Sequence, residues 1–261
     1  MEAASPSRIA RAPTAILASL LLLAGLAWAV LVWQSAEMDT ERMDHVEMLT
    51  TMDMRAALFL AIWAAMMVAI MFPTAAPMIL TFARVQAGRR EQGKPVVPTW
   101  IFTGTYLALW VAFGALAYGA AVGAQELADQ SMWFMDNMAR IGGGVLIAAG
   151  VYQLTPLKNT CLSKCRSPLA FILGAWREGY GGAVRMGLEH GLYCIGCCWL
   201  FFLIIFPLGM MNIAVLAAIA ALIFAEKSLP FGDQARVAVA GLLVAYGALV
   251  VFVPDALPTM A

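Results

Sequence analysis

The sequence predicts an all-α integral membrane protein, a polytopic bundle of about seven transmembrane helices. Of its 261 residues, 62% are apolar and 12% are charged, whereas a soluble domain carries about 25% charged residues. Long apolar stretches alternate with short charged segments, and segments that cross a bilayer must satisfy their backbone hydrogen bonds internally. The apolar runs are continuous and do not alternate with a period of two, which excludes barrel strands.

Seven apolar segments are predicted to span the membrane. They are residues 14–33, 56–83, 98–123, 138–155, 187–209, 213–225 and 237–253. The sixth is short and the fourth contains Arg140, so these two fit the pattern of a span least well. We divide the chain into a tail with the first helix (1–33), an outer methionine-rich segment (34–55) and a membrane bundle (56–261) with a cytoplasmic cysteine loop (156–186).

Lysine and arginine in the loops predict the orientation. With the amino end inside, the outer segments hold only Arg42, Arg55 and Arg140. The inner segments hold Arg8, Arg11, Arg84, Arg89, Arg90, Lys94, Lys158, Lys164, Arg166, Arg177, Arg185, Lys227 and Arg236. Every loop therefore agrees with an amino end in the cytoplasm and a carboxyl end outside.

The first apolar segment has an alternative interpretation as a cleaved signal peptide. Arg8 and Arg11 precede the apolar run, and residues 27–29 (Ala-Trp-Ala) resemble a cleavage site. The run continues to Trp33, however, and so reaches the length of a full span, which favours a retained helix. Cleavage would leave six spans with the same orientation.

The outer segment combines sulfur and imidazole donors. If it is helical, Met38, His45, Met48 and Met52 lie near one face, at spacings of seven, three and four. Thioether ligands select Cu(I), and imidazole also suits copper. We predict a weaker outer metal site at these four residues, with the alternative that the methionines form the apolar side of an interfacial helix.

All five cysteines fall on the inner side in this orientation. Cys161 and Cys165 lie in the cytoplasmic loop, whereas Cys194, Cys197 and Cys198 lie one to two turns inside the fifth span. Because the cytosol is reducing, we do not expect a disulfide framework. Three cysteines within five positions favour a metal site over scattered small apolar side chains, and an inert or redox-active thiol cluster is the alternative.

Helical geometry adds a histidine to this group. A helix that begins near Gly187 places His190, Cys194 and either Cys197 or Cys198 on one face. Burying an ionisable side chain within a span is costly and therefore indicates function. Thiolates with one imidazole bind Cu(I) or Zn(II). We predict a metal site, for copper more than for zinc, with these ligands: Cys194, Cys197, Cys198, His190, Cys161 and Cys165. Whether the loop cysteines fold back to the span cysteines stays open.

Four other features have structural interpretations. A methionine stripe on the second span is typical of core packing; it consists of Trp63, Met67, Met71, Thr74 and Met78. Glu226 and Lys227 are interpreted as a charge pair at a helix end, and Asn212 as a helix cap. The glycine triplet 142–144 predicts close helix packing.

Several motifs between about residues 55 and 230 carry a family resemblance. They are residues 63–78, Tyr152-Gln153-Leu154-Thr155-Pro156-Leu157-Lys158, Cys161-Leu162 with Cys165-Arg166-Ser167-Pro168, Cys194-Ile195-Gly196-Cys197-Cys198-Trp199, Gly209 with Met211-Asn212, and Glu226-Lys227 with Pro230. In them the chain resembles a bacterial family of predicted metal-binding integral membrane proteins, catalogued as domain of unknown function 2182. The resemblance implies metal binding and a multi-pass protein of the bacterial inner membrane. It implies no established reaction and does not cover the outer methionine-rich segment.

The two unlike sites predict a direction of metal movement. Thiolates hold Cu(I) more strongly than thioethers do, so a path from the outer to the inner site runs downhill in affinity. We predict a membrane protein that handles a soft metal and moves, stores or delivers it. Its expected partners are the lipid bilayer and a metal donor or acceptor; a net charge of zero indicates no nucleic-acid partner.

Two other functions stay open. The chain is alternatively an assembly or scaffold subunit of a larger membrane complex, with structural or inert cysteines. An enzyme that handles thiols or electrons at Cys194–Cys198 ranks lower, although His190 one turn away would serve as a base. The sequence contains no nucleophile triad, phosphate-binding loop or dinucleotide fingerprint, which disfavours an enzyme.

Overall fold

Helices account for all regular secondary structure in the part of the chain that the structure describes. The computed structural model describes residues 6–40 and 56–257, and the side chains of residues 13–36 and 56–257. The helices are α1 Pro6–Thr40, α2 Ala56–Glu91, α3 Thr99–Gln130, α4 Met132–Gln153, α5 Pro156–Arg166, α6 Pro168–Gly174, α7 Gly179–Leu203, α8 Ile205–Leu208, α9 Ile213–Ser228 and α10 Gly232–Phe252, followed by a 3-10 turn at Pro254–Ala256. The all-helical class is therefore confirmed.

Five of the helical segments are long and apolar enough to cross a membrane. They are Pro13–Ala36, Ala56–Glu91, Thr99–Gln130, Gly179–Leu208 and Gly232–Phe252. The two segments that fit the span pattern least well, in α4 and α9, are helical but are not among these five. α9 has 16 residues, which gives a length of roughly 24 Å, short of a bilayer core of about 30 Å. α4 carries Asp136, Arg140 and the glycine triplet, which reduce its apolar content.

The segment predicted as a cytoplasmic loop, residues 156–186, is largely helical. It contains α5, α6 and the first turns of α7. Thr155 caps α5, because its hydroxyl accepts a hydrogen bond from the Lys158 backbone N–H, and Pro156 occupies a first-turn position where no backbone N–H is needed. The cap and the proline start a helix that has too few apolar residues to resemble a span, so the sequence did not indicate this helix; the cytoplasmic location of the segment stays a prediction.

Close packing of helices depends on glycine at two interfaces. A Cβ on Gly143 in α4 would lie 2.8 Å from the carbonyl oxygen of Gly247 in α10, and a Cβ on Gly247 would lie 2.7 Å from the carbonyl oxygen of Gly143. In α7, a Cβ on Gly187 would lie 2.7 Å from the Phe102 carbonyl oxygen of α3. The predicted packing role of the glycine triplet is thus confirmed, although Gly144 faces open space.

The core lies around α2, which is the most buried of the five long apolar helices. Every member of the predicted methionine stripe is buried, from Trp63 to Met78. The Trp63 indole N–H donates a hydrogen bond to the Trp110 carbonyl oxygen of α3 at 3.0 Å. At the start of α9, the Asn212 side chain accepts a hydrogen bond from the Val215 backbone N–H, so the predicted cap is confirmed.

Candidate metal centre

Three cysteine sulfurs meet where α5 packs against the middle of α7. The ligand atoms of Cys165, Cys194 and Cys197 all lie within 4.8 Å of one another. The Sγ atoms of Cys165 and Cys197 are 3.9 Å apart. Sulfurs that share one metal at a bond length near 2.3 Å lie about 4 Å apart, so the spacing fits one ion. The loop cysteine therefore folds back to the span cysteines, which answers the question that the sequence left open.

The other two predicted cysteines lie at the edge of this group. Cys198 Sγ is 3.3 Å from Cys197 Sγ but is outside the set of three. Cys161 is also outside the set, and its sulfur packs against the backbone of α7: a Cβ on Gly196 would lie 2.6 Å from Cys161 Sγ. The glycine in Cys194-Ile195-Gly196-Cys197-Cys198 thus allows α5 to approach α7 closely enough for Cys165 to reach the cluster.

His190 lies one helical turn before Cys194 and is buried between aromatic rings. Its ring is stacked on Phe102 and Tyr106 of α3, at centroid distances of 5.9 and 5.1 Å, and also faces Phe171 of α6. Neither ring nitrogen has a hydrogen-bond partner among the described residues. His190 does not belong to the three-residue group, so the structure places this predicted ligand beside the cluster rather than in it.

Two further side chains contact Cys194 and were not predicted as site residues. The Tyr106 hydroxyl of α3 lies 3.1 Å from Cys194 Sγ, and the Met71 Sδ atom of α2 lies 4.0 Å from it. For Met71 the sequence did hold a signal, since the stripe placed it on a buried helical face. For Tyr106 it held none, because one tyrosine in an apolar helix is unremarkable before the neighbouring helix is known.

Lys227 is the third unpredicted neighbour. Its Nζ atom lies 3.0 Å from Cys194 Sγ. Glu226 turns instead to Lys158 on α5, with 2.7 Å between Nζ and Oε2, and both side chains are 1% exposed. The interpretation of Glu226 and Lys227 as a charge pair with each other was wrong, because consecutive residues of a helix point about 100° apart and here meet different helices.

Ionic contacts attach α5 to α9 and α10. Besides the Lys158–Glu226 pair, the Arg166 side chain donates hydrogen bonds to the Glu226 carbonyl oxygen at 2.7 Å and to the Asp233 carboxylate at 2.8 Å. Arg166 directly follows Cys165 in the chain. These contacts therefore hold the end of α5 that carries the cluster cysteine.

The environment of the α5 thiols affects their protonation. The pKa of Cys165 lies well above its usual value, chiefly because of its hydrogen bond with Cys194 and also because of burial. Burial raises the pKa of Cys161. Since a thiolate is the metal-binding form, binding of a metal at Cys165 requires the release of a proton.

The predicted outer site lies outside the described residues. Met38 belongs to α1, but its side chain is not among those described, and His45, Met48 and Met52 fall in the undescribed segment. That site stays a prediction.

Comparisons with known proteins bear on the metal. A family model described as PpoB2, copper chaperone, matches residues 60–250, which is more than half of the chain. No curated protein and no solved structure matches the chain. The match agrees with the metal-related character that the family resemblance implied, and both cysteine-bearing helices of the cluster fall inside the matched range.

Proposed function

The chain belongs to the copper chaperone family PpoB2, and we propose that it is a membrane-embedded chaperone that binds Cu(I) at Cys165, Cys194 and Cys197 and passes the ion to a partner protein. One observation carries this proposal. Three cysteines from two helices have their sulfurs within 4.8 Å of one another, with Cys194 and Cys197 buried and Cys165 partly exposed. Buried cysteines that serve only as small apolar side chains have no reason to converge in this way.

The donor set favours copper over zinc. Thiolates bind both Cu(I) and Zn(II), and a thioether favours Cu(I). The donors here are all sulfur: beside the three thiols of the cluster, Cys198 Sγ lies 3.3 Å from Cys197 Sγ and the thioether of Met71 lies 4.0 Å from Cys194 Sγ. Copper is therefore the cargo that fits both the donor set and the family.

The membrane location rests on the helices and on their surfaces. Five helical segments have the length and composition of spans. Large apolar side chains lie exposed on them, including Leu116 at 73%, Leu242 at 69% and Phe252 at 83%, as expected for lipid-facing positions. We propose that these helices span a bacterial inner membrane with the amino end inside, and that α4 and α9 complete a seven-helix bundle.

Transfer of the ion requires a route to the cluster. Cys165 is partly exposed, whereas Cys194 and Cys197 are buried. A cavity of about 450 Å³ lies near Cys165 and is lined by Lys164, Ser167 and Tyr193, which are close to Cys165 and Cys194 in the chain. We propose that a partner thiol enters on this side, binds the ion and displaces Cys165 first.

Metal analysis of the purified protein tests the proposal. The wild type, purified under reducing conditions and loaded with Cu(I), is expected to hold one ion per chain. Changing Cys194 and Cys197 together to serine removes two of three ligands, so this variant should lose the ion. Cys198→Ser is the matched control, because it changes the adjacent thiol outside the set of three, and it should keep the metal.

Two results would contradict the proposal. Equal, near-zero copper in the wild type and in the double variant would leave the cysteines without a metal role. Stoichiometric co-purification of partner subunits with an unaltered complex in the double variant would then favour the scaffold function.

A further inference from the structure

The side chain of Lys227 occupies an unusual place for a cation. It extends from the end of α9 into the cysteine cluster, where its Nζ atom lies 3.0 Å from Cys194 Sγ. A lysine ammonium is costly to remove from water unless an anion accompanies it. The partner of Lys227 is therefore informative about the charge of the site.

Carboxylates near the end of α9 are already paired with other cations. Glu226 bonds to Lys158, and Asp233 bonds to Arg166. Within residues 56–257, no carboxylate lies at ion-pair distance from Lys227. The atom that faces the ammonium is a sulfur, and a cysteine sulfur becomes an anion when it binds a metal.

Cys194 has a second polar neighbour, which comes from another helix. The hydroxyl of Tyr106 on α3 lies 3.1 Å from the same sulfur. Cys197 differs, since its thiol donates to the Cys194 carbonyl oxygen of its own helix at 3.2 Å. Of the three cluster sulfurs, Cys194 is thus the one that an ammonium and a hydroxyl from two other helices contact.

This arrangement matters most when the site holds an ion. Three thiolates around one Cu(I) ion leave two negative charges in excess, and burying uncompensated charge in a bundle core is expensive. One ammonium in contact with a ligand sulfur compensates one of these charges. Hydrogen bonds to ligand atoms also orient the ligands, and removing such a partner typically lowers metal affinity by about 10- to 100-fold.

We propose that Lys227 is a positioning residue of the copper site, which supplies a counter-charge to the thiolate ligands through its contact with Cys194 without itself binding the metal. The inference rests on the proposed function and goes beyond it, because it assigns the affinity of the site to a side chain that carries no ligand atom for copper. Tyr106 supports the same sulfur as a neutral donor.

Three substitutions of Lys227 separate charge from hydrogen bonding. Lys227→Met keeps the length and removes both, Lys227→Gln keeps a donor and removes the charge, and Lys227→Arg keeps both. Cu(I) affinity is measured for the detergent-purified full chain by competition with a chromophoric Cu(I) chelator. We expect the arginine variant to match the wild type, the glutamine variant to bind more weakly, and the methionine variant to bind about 10- to 100-fold more weakly.

Lys94→Met is the matched control. It removes the same charge from an exposed position that follows α2, and it should leave the affinity unchanged. X-ray absorption at the copper edge provides a second measurement: the number of sulfur ligands should be the same in Lys227→Met as in the wild type, since only a counter-charge is lost. If the methionine variant does not fold, the affinities of the glutamine and arginine variants still show whether the charge at this position is needed.

The outcomes separate this inference from the proposed function. Variants that bind Cu(I) as tightly as a copper-binding wild type would overturn the role of Lys227 and leave the chaperone function standing. A lost sulfur ligand in Lys227→Met would overturn it too, because the side chain would then hold the site together mechanically. A wild type without copper would overturn the proposed function and this inference with it.

Discussion

Two interfaces of the bundle are both close, but they differ in what lies between the helices. α4 and α10 meet through Gly143 and Gly247, whose backbones approach without intervening side chains or charge. α5 meets α7 and α9 through thiols and a buried ion pair, and a glycine again allows the approach, since Gly196 makes room for Cys161. Glycine brings backbones together in the first case and brings ligands together in the second.

The difference shows which helix interface of the bundle carries polar side chains. Around Gly143 and Gly247 the α4–α10 interface is held by van der Waals packing, and the Arg236 side chain of α10 donates a hydrogen bond to the Gln153 carbonyl oxygen at the end of α4. At the α5 interface, buried charges and thiols are costly unless they pair. A stabilising role alone would favour the first kind of interface, so the second kind indicates a site. The following substitutions affect the two interfaces differently.

The largest effect is expected from the replacement of Cys165, and the replacement of Cys161 on the same helix is its control. Cys165→Ser removes one of three converging sulfurs, whereas Cys161→Ser changes a thiol that packs on Gly196 outside the set. We expect the first variant to lose most of its bound Cu(I) and the second to retain it, as measured by metal analysis after gel filtration. Equal retention in both would show that α5 contributes no ligand.

The next effect concerns the buried ion pair. Glu226→Gln leaves the Lys158 ammonium buried without a charge partner, which costs about 3–5 kcal/mol for a pair of this kind. We expect a lower unfolding temperature and weaker copper binding, because the pair holds α5 against α9. The double variant Lys158→Met with Glu226→Leu should recover much of the stability, since an apolar pair of similar volume avoids the penalty. No recovery would mean that the charges have a role beyond attaching α5.

The α4–α10 interface should respond in stability alone. Gly143→Ala places a Cβ 2.8 Å from a carbonyl oxygen and should cost about 1–3 kcal/mol through overpacking, with copper stoichiometry unchanged. Gly144→Ala is the control, because nothing lies near a Cβ at that position, and alanine favours the helix there. Thermal unfolding with metal analysis distinguishes the two. A loss of copper in Gly143→Ala would show that the interfaces are coupled.

Patterns confined to one helix were predictable from the sequence. Apolar length identified the long helices, the glycine triplet indicated close packing, and Asn212 was recognised as a cap before an apolar run. The face of α7 with His190, Cys194 and Cys197 follows from helical spacing, and all three side chains are buried. These features depend on residues three or four positions apart.

Contacts between helices were not predictable from the same patterns. That Cys165 reaches the cluster and Cys161 does not depends on how α5 is oriented by its ion pair with α9. Lys227 and Tyr106 approach Cys194 from helices far away in the sequence, and no spacing rule links them. The sequence therefore identified the residue types that form the site. It did not show which of these residues come together in the cluster.

The smallest expected effect tests whether Gly196 sets the position of α5. Gly196→Ala places a Cβ 2.6 Å from Cys161 Sγ, so the Cys161 side chain or α5 must move, and a movement of α5 carries Cys165 away from Cys197. We expect Cu(I) affinity to fall by less than about ten-fold, the lower end for a disturbed outer contact. Adding Cys161→Ala removes the obstructing sulfur, so the double variant should regain the wild-type affinity in the same chelator competition, and Cys161→Ala alone should bind normally. Persistent loss in the double variant would show that Gly196 acts on the backbone of α7 and not through the distance between α5 and α7.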